Sequence, residues 1–252
     1  MRKMSTTAGQ KSLAQLADGY WVESRRPLAS LMFITPLLIA YELGVVWLGV
    51  QNGADAFMRR LLNVLGFSQH LLLPVLMVCI LLGWHYLSRQ PWRLSRGTIS
   101  GMAAESILLA ICLRAILFVQ KSMFAAMAPL VELSIGGKFK DAVGFLGAGI
   151  YEELLFRLIL LSLVVWGLLR TGIKPWAGMI LAALMSSLLF AAAHYVGANG
   201  DHFQWFSFVF RFLAGLFFAI VFVYRGFGIA AGSHAAYDLL VGVFFFTTTG
   251  PS

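Results

Sequence analysis

The chain has 252 residues, 60% of them hydrophobic and only 12% charged, with a net charge of +8 and a mean hydropathy of +0.82. Soluble domains carry about 25% charged residues, so this balance excludes a soluble globular fold and leaves no stretch for a separate soluble activity. The bases are scattered over loops and the N-terminal tail without a dense run, which argues against a nucleic-acid partner and fits anionic lipid headgroups and positive-inside topology.

In chain order, residues 1–28 are polar and are expected to form a cytoplasmic N-terminal segment. They lack the short apolar core and small-residue cleavage site of a secretory leader, so the first span is expected to direct insertion. A bilayer-crossing helix needs about 20 mostly apolar residues. Seven stretches qualify: 29–50, 70–88, 99–119, 143–169, 176–197, 204–224 and 227–246. Residues 123–135 are apolar but short and contain Pro129, so the connection 120–142 reads as interfacial or re-entrant; if it crosses, the spans number eight. The expected fold is an all-α polytopic membrane protein whose seven or eight helices enclose a polar intramembrane cavity. Its first three spans occupy 29–119 and its catalytic core 143–246. Cys79 and Cys112 fall in apolar runs without metal-ligand spacing and read as small buried hydrophobes.

Lys and Arg set the orientation. With seven spans and the N-terminus in the cytoplasm, the inside segments hold Arg2, Lys3, Lys11, Arg25, Arg26, Arg89, Arg93, Arg96, Arg170, Lys174 and Arg225. The outside segments hold only Arg59, Arg60, Lys121, Lys138 and Lys140. The bias favours a multi-pass protein of the cell membrane, a bacterial inner membrane by its short chain, with the N-terminus inside. A full crossing by 123–135 inverts every later helix.

Ionised side chains at mid-bilayer cost roughly 2.5–3.5 kcal/mol each, so those inside the spans carry the functional information. Glu152, Glu153 and Arg157 lie in the fourth span. Glu153 and Arg157 share a face at i, i+4 and can pair, which leaves Glu152 about 100° round the helix and able to point elsewhere. His194 lies near the end of the fifth span, on one face with Phe190, and the alanines between them permit close helix approach. His234 and Asp238 are again i, i+4 in the seventh span, flanked by small residues; the carboxylate could satisfy the imidazole or orient it. Glu42, Glu105, Arg114 and Arg211 share no face and read as pairs between helices or as snorkelling groups.

Each group alone also reads as a structural ion pair or interhelical hydrogen bond. Together, three separate helices could bring a carboxylate and imidazoles to one polar cavity. Those are the parts that activate a water and hold an oxyanion. Neither Gly-x-Ser-x-Gly nor His-Glu-x-x-His occurs, which leaves direct attack by activated water. A proton-coupled transporter would use the same residue types, but the chain lacks its repeats and paired broken helices; a non-catalytic membrane partner is the third reading.

In this order and spacing, Glu152-Glu153-x-x-x-Arg157, Phe190-x-x-x-His194 and His234-x-x-x-Asp238 resemble the three-motif signature of the CPBP (CAAX protease and bacteriocin-processing) intramembrane proteases, which include the Rce1-type CAAX endopeptidases. The resemblance covers about residues 143–246. It implies that Glu152 activates water, His194 helps to hold it, Glu153 and Arg157 form a supporting pair, and His234 with residue 238 lines the oxyanion side. Asn is frequent in the family at that last position. An ionised Asp only accepts hydrogen bonds, so Asp238 is expected to orient His234 while His234 alone donates. The resemblance implies no required cofactor. The alternative is zinc held by Glu152, His194 and His234 with an open fourth position. The expected partners are membrane lipids and a membrane-anchored protein or peptide, such as a C-terminal sorting tail or a lipidated tail. With the N-terminus inside, the site lies toward the outer face.

Overall fold

Apolar runs too long to leave their backbone unpaired in lipid fold as helices, because only intrahelical hydrogen bonds satisfy every peptide group there. The computed structural model describes residues 19–67, 71–124, 138–197 and 200–244, and among them no strand occurs. After a helical turn at 19–24, helix α1 (Pro27–Leu48) begins on a proline at its first position, where a missing N–H costs nothing. It ends at Gly49, whose φ of 65° closes the helix with an N–H bond to the Val45 carbonyl. Helix α2 (Gly53–Val64) follows at once, capped by the Asn52 side chain, which accepts from the Ala54 N–H. Helices α3 (Leu72–Leu87) and α4 (Thr98–Met123) come next.

The fourth predicted span is one long helical run with an altered pitch in its middle. It starts as α5 (Lys138–Gly147), widens into π-helical turns over Ala148–Glu152 and Leu154–Leu161, and resumes as α6 (Ser162–Arg170). π-Helical turns inside α-helices are frequent at functional sites, and here they coincide with the Glu152–Arg157 segment. The remaining helices are α7 (Pro175–Ala193), α8 (Trp205–Arg225) and α9 (Phe227–Leu239), the last continued by a π-turn at Leu240–Phe244.

Helix α9 is the axis of the bundle. It packs against α1, α4, α8 and the π-turn at Ala148–Glu152, and Phe227, Ile229, Ala230 and Ala231 on it are fully buried. Its small residues allow this. A Cβ on Gly149 would stand 2.5 Å from the Ala235 backbone N, so only glycine lets the fourth run meet α9 one residue beyond His234. Apolar side chains cover the outside as well: Trp47, Leu87 and Ile107 are among those exposed, as a lipid-facing surface requires.

Among the described residues, four helices, α1, α4, α7 and α8, are long and apolar enough to cross a membrane; Leu72–Leu87 and Phe227–Val243 are shorter apolar helices. The regular structure of the described residues is all helical, and the chain is a multi-pass membrane protein. The connection expected to be re-entrant lies, for residues 125–137, outside the described residues. Two readings are corrected. Cys79 and Cys112 are exposed rather than buried, because on a lipid-facing surface a small apolar side chain has no need of the core. The loop expected between the first two spans contains α2, whose balance of apolar and charged residues hid it from a search for apolar runs. Asn52 before Gly53 and Asp55 in the first turn are the start signal that marks it.

Candidate active site

Glu153 and Arg157 form the innermost layer. Both side chains are 0% exposed, and Arg157 Nη1 lies 3.1 Å from Glu153 Oε1. Arg157 also donates through Nη2 to the Gly215 carbonyl on α8 (3.2 Å), and its guanidinium carbon sits 4.3 Å from the Phe190 ring centroid. Thus a buried cation is met by a carboxylate, a carbonyl and an aromatic face. The i, i+4 pair expected from the spacing forms despite the wider π-turns.

The same Glu153 oxygen reaches His234. Its Oε1 lies 2.8 Å from His234 Nδ1, and a carboxylate only accepts, so Nδ1 carries the hydrogen. This departs from the expectation that Asp238 orients the ring. An i, i+4 neighbour on the same helix reaches the far nitrogen instead: Asp238 Oδ2 is 3.5 Å from Nε2. The ring is also stacked on Phe218, with centroids 4.4 Å apart and planes inclined by 15°. No periodicity in the sequence signals that contact.

His194 is oriented in the same sense. It sits at the C-terminal end of α7, where its Nδ1 lies 2.9 Å from the Phe190 carbonyl. A carbonyl can only accept, so Nδ1 donates and Nε2 turns toward the fourth run. Phe190 meets both imidazoles edge-on, at 5.0 Å from His194 and 6.0 Å from His234.

Both Nε2 atoms face one oxygen. Glu152 Oε2 lies 3.9 Å from His194 Nε2 and 3.9 Å from His234 Nε2. It is buried without a hydrogen-bond partner among the described residues. Its sister Oε1 accepts from Asn52 Nδ2 at 3.2 Å. A separation of 3.9 Å is too long for a direct hydrogen bond and suits two groups that share a small molecule between them. Exposure rises outward from this point, from 0% at Glu153 through 12% at Glu152 to 22% at Asp238 and 27% at His194. An open cleft of about 550 Å³, lined by Asn52, Gly144, Ala148 and Asp238 among others, borders the cluster.

All six residues named from the sequence thus stand within one connected set, drawn from the fourth run, the end of α7 and α9. Asn52, Phe218 and the glycine contact at 149 were not among them. No group of three or more His, Cys, Asp or Glu side chains among the described residues is arranged to hold a metal ion, so no step below is routed through zinc. Of the scattered charges, Glu42 pairs with Arg59, Glu105 with Arg225, and Arg211 with Asp201.

Residues 141–240 match the family model described as Type II CAAX prenyl endopeptidase Rce1-like. No curated protein and no solved structure matches the chain. The stretch that carries the six clustered residues is therefore similar to the Rce1-like CAAX endopeptidases.

Proposed function

We propose that this protein is an intramembrane endopeptidase that hydrolyses a peptide bond of a membrane-anchored substrate with a water activated by Glu152. The observation that carries the reading is the convergence of His194 Nε2 and His234 Nε2 on Glu152 Oε2, each at 3.9 Å. A water there donates one hydrogen to Glu152 Oε2 and the other to the bare Nε2 of His194. Its lone pair then faces the scissile carbonyl. Glu152 takes the proton as the C–O bond forms and returns it to the leaving amine as the C–N bond breaks. His234 acts as an imidazolium, with Nδ1–H held by Glu153 and Asp238 beside Nε2, and donates from Nε2 to the oxyanion. Arg157 holds Glu153 in place through their 3.1 Å ion pair. Water suffices as the nucleophile, and zinc is not required.

Residues 143–246 form the catalytic core in this reading, and the spans within 29–119 wall one side of it. With seven crossings and the N-terminus inside, the cleft opens toward the outer leaflet, where a C-terminal sorting tail or a lipidated tail enters sideways. The test uses the purified full chain in liposomes with two quenched fluorogenic peptides, one farnesylated with a free C-terminus and one carrying an apolar sorting tail. At least one should be cut. Glu152→Gln and His194→Ala should each lower the rate by about 100-fold or more while the protein still melts cooperatively. A folded Glu152→Gln variant that cuts at the normal rate overturns the assignment.

A further inference from the structure

Among the described residues outside the Rce1-like stretch, Asn52 hydrogen-bonds to the Glu152 carboxylate. Asn52 Nδ2 donates to Glu152 Oε1 at 3.2 Å across 100 positions of sequence. Its amide cannot be turned round. Asn52 Oδ1 accepts from the Ala54 N–H at 2.8 Å, and a backbone N–H only donates, so the oxygen is committed to capping α2 and the NH₂ must face Glu152. The backbone of Asn52 is held as well: its N–H donates to the Tyr41 hydroxyl at 2.9 Å, and that hydroxyl donates to the fully buried Asp55 carboxylate at 2.9 Å.

The anchor runs back to the residue beside the base. Asp55 accepts from Arg59 Nε at 2.5 Å, Arg59 donates to both oxygens of Glu42 at 3.1 Å, and Glu42 accepts from the Tyr151 hydroxyl at 2.5 Å. The chain therefore closes a loop from Asn52 through α2 and α1 to Tyr151, which precedes Glu152. Around Glu152 stand His194 from the end of α7, His234 and Asp238 from α9, and Glu153 and Arg157 from its own run. Among the described residues, Asn52 is the neutral side chain that donates to this carboxylate, and it engages only the oxygen turned away from the imidazoles.

We infer that Asn52 is a positioning residue that selects the reactive oxygen of Glu152: by tying Oε1 to the capped start of α2, it holds Oε2 toward His194 and His234. This rests on the proposed role of Glu152, and the helix that carries it would be a working part of the site rather than a surface connection. Removing the donor leaves Oε1 untied and frees the carboxylate to rotate.

The test compares Asn52→Asp and Asn52→Ser with the native full chain. Both substitutes cap a helix about as well as Asn, so α2 persists, while the first lacks the NH₂ and the second cannot reach. A hydrophobic carbodiimide should modify Glu152 about threefold faster or more in both variants, read by mass spectrometry, because a carboxylate no longer tied at Oε1 swings out to meet it. Labelling of Glu153, held by Arg157 and His234, should not change. On whichever fluorogenic peptide is cut, kcat should fall by about tenfold or more with KM within about twofold, and the melting temperature should hold. Unchanged Glu152 labelling in a folded Asn52→Asp chain overturns the inference, as does a loss of kcat that merely tracks a fall in melting temperature. Cleavage by Glu152→Gln would remove the peptidase reading instead, and the labelling result stands apart from it.

Discussion

Nδ1 of His234 lies 2.8 Å from Oε1 of Glu153, a residue 81 positions earlier in the chain. That single oxygen fixes an imidazole across two helices and, at 3.1 Å, also meets the buried Arg157 guanidinium. Glu153 is thus the joint on which orientation and stability both depend.

Removing that joint leaves a cation buried without its carboxylate. Glu153→Ala is expected to lower stability by about 3–5 kcal/mol, measured by thermal unfolding in detergent. A double variant, Glu153→Ala with Arg157→Met, should recover most of that loss because the stranded charge is gone. It should still fail to cleave, because His234 has lost the partner at Nδ1. Recovery of cleavage together with stability would show that ring orientation is not what Glu153 supplies.

Helix approach at Gly149 is a separate lever. Its missing Cβ is what lets the fourth run lie against Ala235, with backbone N only 2.5 Å from where that carbon would stand. Gly149→Ala should cost about 1–3 kcal/mol by overpacking and reduce cleavage even at temperatures where the variant is folded, since it pushes Glu152 away from His234. Gly167→Ala is the control: nothing lies within 4 Å of its would-be Cβ, so stability and rate should hold or rise slightly with the better helix former.

A zinc-dependent site and a Glu152-activated water respond differently to chelation. Incubation with a membrane-permeant chelator such as 1,10-phenanthroline is expected to leave the cleavage rate unchanged. Loss of activity restored by zinc alone, and abolished by His234→Ala, would transfer Glu152, His194 and His234 to the role of metal ligands.

At the other end of the bundle, before α1, Glu23 accepts from the Ser95 N–H at 2.8 Å and the Thr98 hydroxyl at 2.5 Å. Burial pushes its carboxyl pKa up, but these hydrogen bonds and the Arg26 charge outweigh that and bring it below the ordinary 4.5. A depressed folded-state value means the contribution is complete above the free value and is lost as pH falls through the lowered one. Thermal stability should therefore drop on acidification below pH 4.5, and Glu23→Gln should flatten that part of the profile. An unchanged acid slope in Glu23→Gln would assign the loss to other carboxylates.

Much of this protein follows from local spacing. Apolar runs of about 20 residues placed the apolar helices, though not α2, within a few residues of their observed ends, and the i, i+4 relation put Glu153 beside Arg157, because both properties are set within one or two turns of chain. Spacing also singled out Glu152, His194, His234 and Asp238, since a polar side chain among lipid-compatible neighbours stands out in one dimension. It could not say which carboxylate holds which nitrogen. Asp238 is the sequence neighbour of His234, yet Nδ1 turned to Glu153, because the rotation of α9 against the fourth run is decided by small-residue packing that no single segment encodes. Nor could it reveal Asn52 at Glu152 or Phe218 on the His234 ring. Those contacts exist only once α2, α8 and α9 are docked: which face each helix presents, and not its composition, determines what an intramembrane carboxylate meets.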